Sequence, residues 1–249
     1  MLRARRFALS AALLAALIGI WQLIASLHAV DPLLLASPAD VARAVGRDGG
    51  LLLSNAGVTL IEVLLGLAAA VVVGAGAALA MHLSRILRDA AYPLLIASQA
   101  IPIVVIAPLL VLAFDYGIGP KVAIVALICF FPITVNLLDG LRSVDAEQIK
   151  LMRTLGARPT SILRKVELPS ALPYLFSGLR VAATVSVIGA VFGEWAGADS
   201  GLGRLVLLGT QQLETARAYA GVLVLTLMAL GLFLVVTLVE RVTMPWRRA

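Results

Sequence analysis

The chain has 249 residues, 61% hydrophobic and only 14% charged, with a mean hydropathy of +1.02; a soluble domain carries about 25% charged residues, so the composition excludes one and points to a polytopic membrane protein built as one unit. The net charge of +6 does not indicate nucleic acid, because the Lys and Arg residues punctuate apolar segments instead of forming a patch. The single cysteine, Cys129, lies inside an apolar run, which excludes an intrachain disulfide and a multi-cysteine metal site and leaves a buried structural thiol.

A helix needs roughly 20 apolar residues to cross the hydrocarbon core. Six stretches qualify, near 7–28, 58–82, 92–114, 121–141, 171–195 and 219–240. Membrane strands would have to close into a barrel with dyad alternation, and no stretch alternates. The predicted class is all-α: a polytopic membrane bundle of about six helices. Arg3, Arg5 and Arg6 precede the first apolar run. That run is long for a signal peptide and lacks a small-x-small cleavage site, so it is expected to be an uncleaved first span. With the N-terminus inside and six alternating spans, fourteen of the 20 Lys and Arg residues fall on the cytoplasmic side, five fall outside, and Arg180 stays within a span. The positive-inside bias therefore puts both termini in the cytoplasm.

Residues 29–57 form the first outer loop, where Pro32, Pro38, Asp48, Gly49 and Gly50 are turn signals. Ser37 can cap a short helix through Val45. The second span carries Gly66, Ala70, Gly74 and Ala78, a small face that lets helices approach closely in lipid. Glu62, near its outer end, is expected at the interface. Pro102 and Pro108 in the third span and Pro132 in the fourth predict kinked helices in a bundle interior. Asn136 and Gln99 are uncharged polar groups suited to interhelical hydrogen bonds. Asp115 and Asp139 fall at span ends, as do His28 and His82, which have no metal-ligand spacing.

Between Asp145 and Pro173 lies the one long polar segment flanked by apolar ones. It reads as two short helices broken at Leu155-Gly156-Ala157-Arg158. Gly156 can stop the first helix with φ > 0, Pro159 suits the first position of the second, and Leu168-Pro169 is expected to end it. A basic amphipathic helix on anionic lipid would have the same composition. The spacing says more: Gly156, nine residues, Val166, one residue, Leu168-Pro169 resembles the cytoplasmic loop signature of ABC importer permease subunits. In that signature Glu-Ala-Ala precedes the glycine by three residues; here Lys150, Leu151 and Met152 stand in those places.

The fifth span adds to the resemblance. It opens with Pro169 and Pro173, continues through Gly178-Leu179-Arg180, and ends at Glu194-Trp195 before Gly201-Leu202-Gly203. With Ile101-Pro102, Phe131-Pro132, Asn136 and the Ser37-Pro38 segment, these strings are similar in order and spacing to permeases of the nitrate, sulfonate and taurine group. The resemblance implies a type I ABC importer permease fold, with an N-terminal helix and outer loop over 1–57, a core over 58–240 holding a coupling loop at 142–170, and a tail over 241–249. It implies an inner-membrane homodimer, two separate ABC ATPase subunits that bind ATP-Mg, and an extracytoplasmic binding protein. Leu155, Gly156, Ala157, Arg158 and Pro159 would couple to the ATPase, and Asn136, Arg180 and Glu194 would line the path. Read from the residues alone, Glu194 can line the path or pair across a dimer interface, or equally fix a helix end at the membrane interface.

No Gly-x-x-x-x-Gly-Lys-[Ser/Thr] loop, His-Glu-x-x-His or Gly-x-Ser-x-Gly occurs. The chain is therefore expected to be a transport subunit and not an enzyme, with no cofactor of its own. The solute is expected to be a small anion such as a sulfonate, taurine or nitrate. The alternative is a secondary transporter driven by an ion gradient, which would call for an inverted repeat.

Overall fold

The computed structural model describes residues 2–27, 31, 33–114 and 116–245. Every regular element among them is a helix: α1 (Leu2–Ser26), α2 (Pro38–Arg47), α3 (Gly49–Leu83), α4 (Arg85–Ser98), α5 (Ile103–Phe114), α6 (Ile118–Arg142), α7 (Ala146–Thr154), α8 (Pro159–Ile162), α9 (Leu168–Gly197), α10 (Leu202–Gln211) and α11 (Thr215–Thr243). Among the described residues, α3, α6, the stretch Pro159–Gly197 and α11 are long and apolar enough to cross a membrane, and α4 and α5 reach that length and hydropathy only together, as a bent pair. A shorter apolar helix occupies Ala11–Ser26. His28, Asp115, Arg247 and Arg248 lie outside the described residues, as do the side chains of Arg3, Arg5 and Arg6.

Three expectations change. The stretch 92–114 is not one kinked span, because α4 and α5 meet at a bend of 100°. Pro102 disfavours helical geometry in Ile101, and the chain unwinds through three tight turns, Gln99 N to Ile96 O (3.1 Å), Ala100 N to Ala97 O (3.1 Å) and Ile101 N to Ser98 O (3.3 Å). Gly49 and Gly50 are not a turn but the first residues of α3, whose 35 residues span about 52 Å at 1.5 Å per residue. Pro169 does not end the elbow's second helix. A π-turn over Leu163–Glu167 joins α8 to α9, and Pro169 sits in the first turn of α9. That wider turn relieves both the missing N–H and the clash of the ring with the carbonyl four residues back.

The chain forms two compact units. The first holds residues 1–58 and 200–225. In it Ser37 caps α2 as expected: its Oγ accepts from Asp40 N at 3.1 Å, while its own N–H donates to Asp40 Oδ2 at 3.2 Å, a reciprocal capping box. Trp21 Nε1 donates to Ala36 O at 3.1 Å, and Gln22 Oε1 accepts from Ala39 N at 3.3 Å, tying α1 to the start of α2.

The second unit holds residues 59–199 and 226–249. Its main helix–helix contact is between α6 and α9, which run antiparallel. A Cβ at Gly178 would lie 2.6 Å from Pro132 O, one at Gly189 would lie 3.1 Å from Val125 Cα, and one at Gly193 would lie 3.1 Å from Lys121 Cα. The small face of α3 packs on α6 in parallel register: a Cβ at Gly66 would meet Val125 Cβ at 2.4 Å, and one at Gly74 would meet Thr134 Oγ1 at 3.0 Å. Gly178→Ala is accordingly expected to destabilise the protein by about 1–3 kcal/mol, because backbone must move to admit the methyl group. Gly76→Ala on α3, whose Cβ meets nothing within 4 Å, should be neutral or raise the melting temperature slightly. Thermal unfolding of the two purified variants checks the contrast.

Candidate functional site

At one end of the second unit α3 and α6 finish and α9 begins. Between α6 and α9 stands the elbow. Asp145 caps α7 by accepting from Glu147 N at 2.9 Å. The other end of α7 closes on Gly156, whose φ is +78°. Gly156 N donates to Arg153 O at 3.0 Å and Ala157 N to Met152 O at 2.9 Å, the paired bonds of a Schellman cap. Pro159 opens α8, and Ile162 is buried, anchoring it. The turn leaves Leu155 73% exposed, with Arg158 exposed beside it in sequence. The capped turn thus holds an apolar side chain out at the tip of a structured polar loop. His82, in the last turn of α3, lies 3.0 Å from Glu167 Oε2 in the π-turn, so the elbow is tied to α3 as well as to α6 and α9. Above it a cluster of Ala78, Met81, Leu95, Leu137, Leu138, Leu141 and Ala171 packs α3, α4, α6 and α9 together.

The three polar residues assigned to the path do not converge. Asn136 Nδ2 donates to Pro132 O on its own helix at 2.8 Å, close to the α9 backbone at Gly178. Arg180 Nη2 donates to Ser177 Oγ at 2.9 Å, and its guanidinium pairs with Glu240 of α11. Glu194, about 21 Å further along α9, is fully buried and accepts from Thr59 Oγ1 at 2.6 Å.

Glu194 belongs to a cluster that the sequence reading missed. Glu62 is 1% exposed, not at an interface, and its Oε1 accepts from Lys121 Nζ at 2.8 Å. Lys121, one of the five Lys and Arg residues that the six-span reading places outside, is buried in the first turn of α6. Through Thr59, one turn before Glu62, the Glu194 carboxyl is held on the same face of α3. The available signal was spacing. Thr59, Glu62, Gly66, Ala70 and Gly74 recur at three to four residues, so the two polar groups share the packed face of α3. The cluster sits about 30 Å from the elbow along α3.

A cavity of about 340 Å³ opens at the α4–α5 bend, with Ser98, Gln99 and Pro102 on one side and Leu127, Ile128, Val185 and Ile188 of α6 and α9 on the other. Its lining is aliphatic, with one hydroxyl, one amide and no charge.

In the first unit, Arg47 and Arg217 both hold Asp48: Arg47 Nη2 at 2.9 Å and Arg217 Nε at 3.0 Å. Those bonds, that of Arg47 first, bring the Asp48 carboxyl down to about 2. A depressed carboxylate contributes stability that is complete above its unfolded value and lost as the pH falls through its folded one. The gap in melting temperature between the native chain and Asp48→Asn should therefore be constant above about pH 4 and close as the pH approaches 2.

Residues 63–248 match the family of binding-protein-dependent transport system inner membrane components. The chain is 36% identical to the formylaminopyrimidine transport permease protein ThiX of Halalkalibacterium halodurans, over 93% of both chains. It is 31% identical to the taurine transport system permease protein TauC of Escherichia coli, over 97% of this chain and 90% of that one. It superposes on a chain of an amino acid ABC transporter crystallised with histidines with a TM-score of 0.60 at 20% identity, covering 79% of this chain and 96% of the other. That likeness supports the permease fold. A component that depends on a binding protein implies such a protein and an ATPase as partners, and the family is one of transport subunits, not enzymes. The chain thus belongs to the inner-membrane permease subunits of binding-protein-dependent ABC importers.

Proposed function

We propose that two copies of this chain line one path through the inner membrane, with both termini cytoplasmic, and that each elbow docks on an ATPase subunit that binds ATP-Mg. The observation that carries this reading is the elbow itself: a capped, rigid turn at Gly156 that presents Leu155 to solvent and is anchored to three spans. A helix seated in a groove of the ATPase would then push α3, α6 and α9 together. Leu155, Gly156, Ala157, Arg158 and Pro159 form the contact. The solute passes the α4–α5 bend, while Asn136, Arg180 and Glu194 shape the path from behind, since each is turned to protein. A small organic solute fits the aliphatic, uncharged lining at the bend better than inorganic nitrate does. A sulfonate such as taurine or a heterocycle of formylaminopyrimidine size is compatible with it.

Co-expression with a cognate ATPase and binding protein, followed by reconstitution in vesicles, tests this reading. Uptake should require the ATPase, ATP and the binding protein together. Accumulation by the chain alone, driven by an ion gradient, would overturn it.

A further inference from the structure

The first unit holds a cavity of its own. It has a volume of about 520 Å³ and lies between α2 and the turn from α10 to α11, with Asp40, Arg43, Arg47, Leu213, Glu214 and Arg217 on its walls. Thr215 Oγ1 donates to Leu33 O, fastening the turn to the segment before α2. Each guanidinium carries five N–H donors. Arg43 spends one on Asp40 Oδ1 at 2.7 Å. Arg47 spends two on Asp48, and Arg217 spends one on Asp48 and one on Glu214. The wall carboxylates are already engaged, since Asp40 also accepts from Ser37 N and Oγ. Donors therefore exceed acceptors on these walls. The side chains of Arg43 and Arg47 are 77% and 65% exposed, so their remaining N–H groups are open to a charged acceptor from outside.

The rim carries the one non-glycine residue with positive φ among the described residues, Leu213 at +58°. It stands where a Schellman turn ends α10: Glu214 N donates to Gly209 O at 2.8 Å and Leu213 N to Thr210 O at 3.4 Å. That place usually falls to glycine, because left-handed geometry crowds a Cβ. Leucine gains little from burial there, since it is 55% exposed. Neither the helix ending nor the core asks for this side chain. Strain held beside a cavity points to a contact made outside the chain. Lipid hydrocarbon is a poor occupant, because it offers the guanidiniums no acceptor.

We propose that this cavity and Leu213 receive the extracytoplasmic binding protein. A carboxylate of that protein enters among Arg43, Arg47 and Arg217, and an apolar side chain of it covers Leu213. This docking rests on the orientation with both termini cytoplasmic, which puts residues 29–57 and Arg217 outside the membrane, where the binding protein arrives.

The measurement is ATP hydrolysis by the permease–ATPase complex in lipid nanodiscs, titrated with the purified cognate binding protein. Arg43→Glu sets a like charge against the incoming carboxylate and should raise the half-saturating concentration roughly ten-fold. Added salt should weaken the native titration and affect Arg43→Glu less. Leu213→Gly relieves the backbone and should not lower the melting temperature, yet it should raise half-saturation roughly five-fold by removing apolar contact. A merely structural role would move stability and binding together. A leucine that serves only lipid would leave the Leu213→Gly titration at its native position. That result, or an unshifted Arg43→Glu, would overturn the proposal while native hydrolysis still answered to the binding protein. Native hydrolysis indifferent to the binding protein would overturn the proposed function as well.

Discussion

Replacing Gly156 by valine is expected to lower ATP-driven uptake at least ten-fold while leaving membrane insertion intact. Gly156 holds φ at +78°, where an L side chain costs roughly 1–2 kcal/mol and a β-branched one lies at the upper end. The added Cβ meets nothing within 4 Å, so the effect is purely one of backbone geometry. To escape the strain the chain must leave the left-handed region, and the two capping bonds to Arg153 O and Met152 O go with it. Leu155 and Arg158 then lose their fixed direction. The spans do not depend on this turn, because their burial lies in the α3–α6 and α6–α9 contacts. The measurement is a pair: protein level in the membrane fraction, and solute uptake with stimulation of the partner's ATP hydrolysis by the binding protein. Normal uptake by the valine variant would remove the elbow from the coupling path. Leu155→Asp offers a second probe of the same contact without touching the cap.

How much of this was legible in advance follows from the range of the forces involved. The elbow's turn was read correctly as far as Pro159, since its signals are local: a glycine at a helix end and a proline at the next helix start. The small face of α3 was legible for the same reason. Pro169 misled because a proline constrains only its own turn. Whether a helix stops there or absorbs it in a π-turn depends on what packs beyond, here Ile162 and the start of α9. The bend at Gln99–Pro102 was under-read in the same way, as a proline kink and not a 100° break. The Glu62–Lys121–Glu194 cluster could not be assembled from sequence. Its members lie 59 residues apart from Glu62 to Lys121 and 135 from Thr59 to Glu194, and each alone looked like an interfacial charge. Parallel packing of α3 on α6, and antiparallel packing of α6 on α9, turns three separate charges into one site.

Lys121→Met should be the most damaging single substitution in the bundle. Removing one partner of a buried ion pair leaves the other without its counter-charge and costs about 3–5 kcal/mol, a large part of the roughly 5–15 kcal/mol that separates folded from unfolded domains. Methionine fills most of the lysine volume, so the loss is electrostatic and not a cavity. The variant is expected to give little monodisperse protein after solubilisation and a strongly lowered melting temperature. Removing Glu62 as well takes away the carboxylate that lost its counter-charge. In Lys121→Met/Glu62→Leu the buried pair is replaced by apolar side chains of similar size, an exchange that is often neutral or better, and Glu194 keeps its bond from Thr59. The double variant should melt well above the single one. Such recovery separates a charge imbalance from a simple packing defect, because a packing defect at residue 121 would persist whatever stands at 62. A single variant that melts like the native chain would mean that the ammonium is not what holds the two carboxyls in place.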